Sequence, residues 1–369
     1  MSERHEVPPG VEMAAGWAWR LLVIAAAGAL GIWLLRYFSE VTVPLAIAVL
    51  ATALVAGRVN WLQRHGVPRL LATFIVVLVL LAVFAGMLAL VGHQLSTQVD
   101  DLRHNVVEGI AQVQDWLQTG PLGLSDDQLA SWIDEVQSTI ASSDTSLLTR
   151  ATALGTSITH FVAGFFIALF ATFFFLYEGS RIWAWIVALF PRAARAKVHS
   201  SGTTAWDSLT AFVRATVLVA LTDAIGIAFA AWVLGVPLTL AIGVLVFLGA
   251  FVPIVGAFLS GMVAVLVALV TQGPWVALFM LLAVVAVQQL ESHVLQPFLM
   301  GRLVAVHPLA IILAIAAGIT VAGIVGALIA VPLAACVNGV VKHLAAEAGM
   351  PLQEDGLPEE LPDPPPSPA

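Results

Sequence analysis

The sequence predicts an all-α polytopic membrane protein with about eight transmembrane helices and an external amphipathic helical hairpin. Three observations carry that expectation. Of 369 residues, 60% are apolar and only 10% are charged, against roughly a quarter charged in soluble domains. Mean hydropathy is +0.98. Two runs, 236–272 and 308–341, contain no charged residue at all. This composition excludes a soluble enzyme, a disordered chain and a disulfide scaffold. The single cysteine, Cys336, sits in an apolar run and reads as a small core residue. Only Lys197 and Lys342 are lysines, and neither stands in a Walker-type GK[ST] loop, so an ATP-driven pump is not expected.

The elements follow in order. A bilayer core of roughly 30 Å needs about 20 apolar residues in a helix. Residues 1–93 hold three such spans, at 17–38, 44–57 and 70–92, with Pro44 placed to open the second in its first turn. Residues 94–153 form an acidic module with nine acids (Asp100, Asp101, Glu108, Asp115, Asp126, Asp127, Asp134, Glu135 and Asp144) against Arg103 and Arg150. Leu95, Val99, Leu102, Val106, Ile110, Val113 and Leu117 make one narrow helical stripe. Leu129, Trp132, Ile133, Val136 and Ile140 make a second after the Gly120–Gly123 break. Two helices folded on each other or on a neighbouring subunit are expected there, with a ligand-binding module as the alternative. Residues 154–345 form the C-terminal transmembrane region, with spans at 158–177 and 209–234 before the charge-free runs. From 346 to 369 the acids Glu354, Asp355, Glu359, Glu360 and Asp363 and seven prolines predict a disordered tail.

Each charge-free run is too long for one span, because 35 helical residues reach about 52 Å. Each must break, at Gly249–Pro253 and at Gly318–Gly323. Pro253-Ile254-Val255-Gly256-Ala257-Phe258 also echoes Gly323-Ile324-Val325-Gly326-Ala327-Leu328, a short apolar match open to repeat or coincidence. Paired interruptions of this kind mark transporter binding sites. Each run either crosses twice or forms a re-entrant hairpin. The basic residues outside the acidic module place both termini in the cytoplasm and the module outside. Arg302 is then outside if both runs cross twice and inside if they are hairpins, and the asymmetry leans towards hairpins.

Ionisable residues inside spans are candidates for function. The fifth span carries Arg214 and Asp223, and Gln288 and Glu291 share a helix face before Pro297. Arg214 is the expected partner of Glu291, either as a structural strut or in coordinating a substrate or ion. The candidate substrate- or ion-binding residues are therefore Arg214, Asp223, Gln288, Glu291, Pro253, Gly256, Pro297, Gly323 and Gly326. No H-E-x-x-H, G-x-S-x-G or acid–base constellation is present, so neither catalysis, nor a metal, nor another cofactor is expected. A nucleic-acid surface is equally unsupported. Gly318, Ala322, Gly326 and Ala330 form a small-residue strip suited to close helix approach.

From Asp207 onward the sequence resembles the autoinducer-2 exporter family of bacterial membrane proteins. The resemblance lies in Asp207…Phe212-Val213-Arg214, Leu234-Gly235-Val236-Pro237 and Val252-Pro253-Ile254-Val255-Gly256, in that order. It continues in Gln288-Gln289-Leu290-Glu291, Leu295-Gln296-Pro297-Phe298-Leu299-Met300-Gly301, His307-Pro308-Leu309, Gly323-Ile324-Val325-Gly326 and Ala330-Val331-Pro332-Leu333-Ala334. Ala215 stands where many members have glycine. The resemblance implies an inner-membrane transporter with about eight helices, both termini inside and a homo-oligomeric assembly in lipid. It implies export of a small polar metabolite or signal, gradient-driven or downhill, with a Na⁺/H⁺ (cation/proton) antiporter as the alternative. A non-transporting membrane scaffold is a third possibility.

Overall fold

The computed structural model describes the backbone of residues 9–119, 147–252, 255–295 and 308–349, and side chains within 10–97, 160–252, 256–295 and 309–349. The second stripe of the acidic module, Pro253, Pro297, Arg302 and the tail lie outside these residues, as do the side chains of the first stripe beyond Thr97. Everything described is helical or turn. The helices are α1 (Pro9–Tyr37), α2 (Ser39–Arg64), α3 (Arg69–Thr119), α4 (Leu147–Ala188) and α5 (Arg195–Val233). They continue as α6 (Thr239–Gly249), α7 (Val255–Gln272), α8 (Pro274–Leu290) with a π-helical turn at Glu291–Leu295, and α9 (Pro308–Glu347). Seven segments are long and apolar enough to cross a membrane, with α6 and α7 as shorter apolar helices beside them. This is the polytopic helical architecture that the composition predicts.

Several helices extend beyond the spans read from the sequence: α2 reaches Arg64, α4 covers Leu147–Ala188 and α5 begins at Arg195. Pro44 lies inside α2, which begins five residues earlier at Ser39. Its ring is buried against Gly164 of α4, 3.4 Å from where a side chain there would begin. That close packing fits a proline inside the helix, though it withholds a backbone donor. The third span, Arg69–Thr97, passes without a break into the acidic segment, because α3 continues as one helix through Thr119.

In lipid the tails are as apolar as leucine, so helices associate by close packing rather than by escape from water. The core shows it. Its largest cluster takes Ala224, Ile227 and Ala231 from α5, Ile242 and Val246 from α6, Ala264 and Ala268 from α7, and Ala277, Met280 and Val284 from α8. Half of these are alanines, which let backbones approach. Gly226 faces Val287, whose nearest atom is 3.0 Å from where a Cβ would stand, and Gly261 faces Val284 at 2.9 Å. Helix ends are held by polar groups from elsewhere in the chain. Arg195 donates to the carbonyls of Ala188 (2.8 Å) and Phe190 (2.9 Å), closing the end of α4. Gln94 on α3 accepts from the Ala241 amide at 2.7 Å, capping α6, and Gln272 donates to Gly235 at 2.9 Å. By contrast α1 is exposed along nearly its whole length.

Both charge-free runs are hairpins. α6 has 11 residues, about 16 Å, which is half of a bilayer core. The chain turns at 250–252, and α7 returns with Gly256 packed directly on the backbone of Gly249 and Ser260 alongside. α9 is one helix only in name, since Ala322 (φ −142°) and Gly323 (φ 60°, ψ −144°) break it. Its second arm returns so that Gly326 meets the backbone of Gly318, with Ala330 2.9 Å from where a Cβ on Gly318 would lie. The strip of Gly318, Ala322, Gly326 and Ala330 therefore packs on itself across the hairpin. Only glycine permits so close a backbone approach.

Candidate functional site

The turn of the first hairpin shares a cluster with the arms of the second. Val252, in the first turn, packs in one cluster with Phe212 of α5 and with Ile315, Ala327, Val331 and Ala335 of α9. Beside this cluster, α5 and α8 run antiparallel, because Gly226 opposes Val287 and, one turn along, Asp223 opposes Glu291. The carboxyls of Asp223 and Glu291 lie close enough for their like charges to interact. Two acids so placed do not both ionise unless a proton or cation offsets the repulsion. Asp223 is 2% exposed and its Oδ1 has no hydrogen-bond partner. It stands ten residues, about 15 Å, from the Val233 end of α5, roughly half the thickness of a bilayer core.

The local sequence explains the placement. Asp223 sits on the α5 face that buries Val219, Ala220, Ala224 and Ile227, so it points inward with them. Glu291 begins the π-helical turn that ends α8, where the extra residue per turn swings the side chain off the regular face. π-turns recur at functional sites for this reason. Ser292 returns its hydroxyl to the Gln288 carbonyl at 2.9 Å. Around the pair, α6, α7 and α8 carry no charged residue.

The expected pairing of Glu291 with Arg214 is not what the structure contains. Arg214 is exposed and turns towards α2, its Nη2 2.8 Å from where a side chain on Gly57 would begin. No acid within ion-pair distance of Arg214 is found among the described residues. The reason is helical phase: Arg214 and Asp223 are nine residues apart, half a turn from sharing a face, and the inward face belongs to Asp223. Gln288 is half-buried one turn before Glu291. Gly256 and Gly326 are the buried contact points of the hairpins, and Gly323 is the reversal itself. Sequence reasoning placed Gly249 and Gly318 at the breaks but not as hairpin contacts, and it missed the buried Ser260. The spacing of seven between Gly249 and Gly256, and of eight between Gly318 and Gly326, was the available signal.

The arrangement sets a buried acid beside a second one, which can hold a proton or small cation. Ser292 Oγ meets His293 Nδ1 at 3.1 Å, but both groups lie at the surface and also contact the Gln288 and Gln289 carbonyls. No group of three or more metal-ligating side chains occurs among the described residues.

The profile described as AI-2E family transporter matches residues 22–346. "Putative transport protein MT0215" of Mycobacterium tuberculosis is 40% identical over 338 residues, covering 92% of each chain. "Putative transport protein YueF" of Bacillus subtilis is 26% identical over 340 residues, 88% of this chain and 90% of its own. "AI-2 transport protein TqsA" of Escherichia coli is 24% identical over 329 residues, 88% of this chain and 90% of its own.

Proposed function

Since the chain belongs to the AI-2E family of membrane transporters, we propose that it exports a small polar metabolite or signalling molecule. The single observation that supports this most is the buried Asp223–Glu291 pair beside two interrupted helices. Half-helix ends and unwound backbone offer dipoles to a polar solute where water is scarce. The relative named for AI-2 transport supports a small polar signal as the solute class. In this reading both termini are cytoplasmic, and the acidic segment is external. The first hairpin then enters from outside and the second from inside. The energy comes from an ion gradient or from the solute's own. The chain assembles as a homo-oligomer in the inner membrane, for which the exposed apolar α1 offers a surface.

The experiment is efflux from proteoliposomes containing the purified chain and loaded with autoinducer-2. Release faster than from empty vesicles is expected, and release equal to theirs rejects this solute. A second reading, cation/proton antiport, is favoured by the same two acids. Everted vesicles separate the two, because antiport requires added Na⁺ to dissipate a preset pH gradient. An exporter of a neutral solute need not respond.

A further inference from the structure

The connection between α4 and α5 turns at the edge of the membrane. From His160 to Glu178 the helix rises about 27 Å, enough to cross a bilayer core. At Glu178 the backbone leaves helical geometry (φ −121°, ψ 18°) and α4 kinks. Two neighbouring elements place the water boundary at the same depth. Arg69, the first residue of α3, donates to the Leu176 carbonyl at 3.1 Å, just before the kink. The second arm of α9 runs antiparallel to α5, with Val331 packed on Phe212 and Gly339 against Ser208 and Thr204. Lys342, which ends the charge-free run of α9, therefore comes level with 201–204 of α5. Trp183 reaches that level too. Its indole Nε1 donates to His199 Nδ1 at 3.2 Å, and its ring packs on Gly202.

The side chains beyond the kink match that depth. Trp183 is half-buried, while Trp185, Leu189 and Phe190 are exposed, Trp185 by 65% and Leu189 by 67%. Tryptophan is enriched at the headgroup level, and apolar side chains so exposed there call for acyl chains rather than water. Between residues 179 and 206 stand Arg181, Arg192, Arg195 and Lys197 and no acid, in a chain of net charge −8. Arg181 pairs with the flanking Glu178 at 3.5 Å. Arg195 is engaged with the Ala188 and Phe190 carbonyls, which fixes the turn. Arg192 and Lys197 are exposed, and no acid lies within ion-pair distance of either among the described residues.

We propose that the elbow 179–199 is a docking surface for anionic phospholipid, with Trp185, Leu189 and Phe190 among the upper acyl chains and Arg192 and Lys197 on headgroup phosphates. Charge complementarity selects this occupant. Two cations beside exposed aromatic and aliphatic side chains match an amphiphile with a negative head, whereas a zwitterionic lipid offsets the attraction with its own cation. Inorganic phosphate would meet the cations and leave the apolar side chains in water. The acidic stretch 351–369 has charge of the right sign, but only Leu352, Leu357 and Leu361 among its large apolar residues could cover Trp185 and Leu189. The surface needs only the membrane-spanning fold, so it stands whichever solute the chain carries.

The test uses the full chain in vesicles of mixed phosphatidylcholine and phosphatidylglycerol, with Cys336→Ala and a fluorophore on Ala188→Cys. Quenching is read with either lipid spin-labelled high on its acyl chain, at equal content. Both lipids should quench, and phosphatidylglycerol should associate about fivefold more strongly, the gain expected from a cation near the surface. Arg192→Gln with Lys197→Gln should bring the two lipids within about twofold of each other. Salt at about 0.5 M should do the same with both cations in place. No quenching by either lipid, equal quenching by both, or a preference that survives loss of both cations overturns the proposal. A preference abolished by inorganic phosphate at constant ionic strength would mark a free-phosphate site. A preference seen only in a chain ending at Met350 would make the acidic stretch the occupant. Either outcome rejects the lipid.

Discussion

At Gly256 and Gly326 a single methyl group decides whether the hairpins close. A Cβ on either would land on the carbonyl of its partner glycine, a backbone atom that cannot swing aside. Gly256→Ala and Gly326→Ala should each lower stability by about 1–3 kcal/mol, read as melting temperature in detergent. Gly323→Ala tests a different cost. Nothing lies within 4 Å of a Cβ there, yet φ is 60°, so the left-handed penalty of about 1–2 kcal/mol applies alone. Gly86→Ala, in open space with an ordinary helical φ, should be neutral or slightly stabilising. Equal effects at all four positions would mean that the close approaches do not matter. The residue types at these points were legible in the sequence, because glycine flanking a charge-free break has few other uses. Which glycine meets which was not, since that depends on where the turn falls.

At the scale of elements, the first hairpin depends on a neighbour to end well. Leu238 precedes α6 at φ 59° and provides no side-chain cap, so Gln94 from α3 supplies the acceptor for Ala241 at 2.7 Å. Gln94→Ala should remove about 0.5–2 kcal/mol. Hydrogen exchange should accelerate in residues 239–245 and stay unchanged in α8. Unaltered exchange at 239–245 would show that water replaces the cap at no cost. Hydropathy and breaks located the helices but not all of their ends: α4 runs to Ala188 where the span was read to 177, and α5 begins at Arg195 where it was read from 209. They could not tell that α3 runs unbroken through Thr119, because the shift from apolar to striped sequence looks like a boundary and is only a change of surroundings. Nor could they place Glu291 against Asp223. A 3.6-residue period gives the face of a helix, while the helix opposite is chosen by small-residue contacts such as Gly226 on Val287.

For the whole molecule, the reading of both charge-free runs as re-entrant hairpins rather than double spans predicts the side on which each connection lies. Cysteines at Asp126 and at Ala348 should label from opposite faces, with Asp126 outside, given the excess of Arg and Lys in the other loops. A cysteine at Arg302 should label from the same side as Ala348. Labelling of Arg302 with Asp126 would instead support two crossings per charge-free run.

The most direct measurement takes Glu291→Gln and wild type in the same proteoliposome preparation and records melting temperature and solute efflux together. Glu291→Gln keeps the shape of the side chain and removes a like charge beside Asp223, so the fold should survive with little change in melting. Efflux should fall at least tenfold, because the remaining group can no longer exchange a proton or cation. Asp223→Asn added to the same chain should rescue nothing. Efflux that persists in Glu291→Gln would contradict a working role for the pair. A collapse of melting and efflux that the second substitution restores would do the same, leaving Asp223 and Glu291 as a strut between two helices.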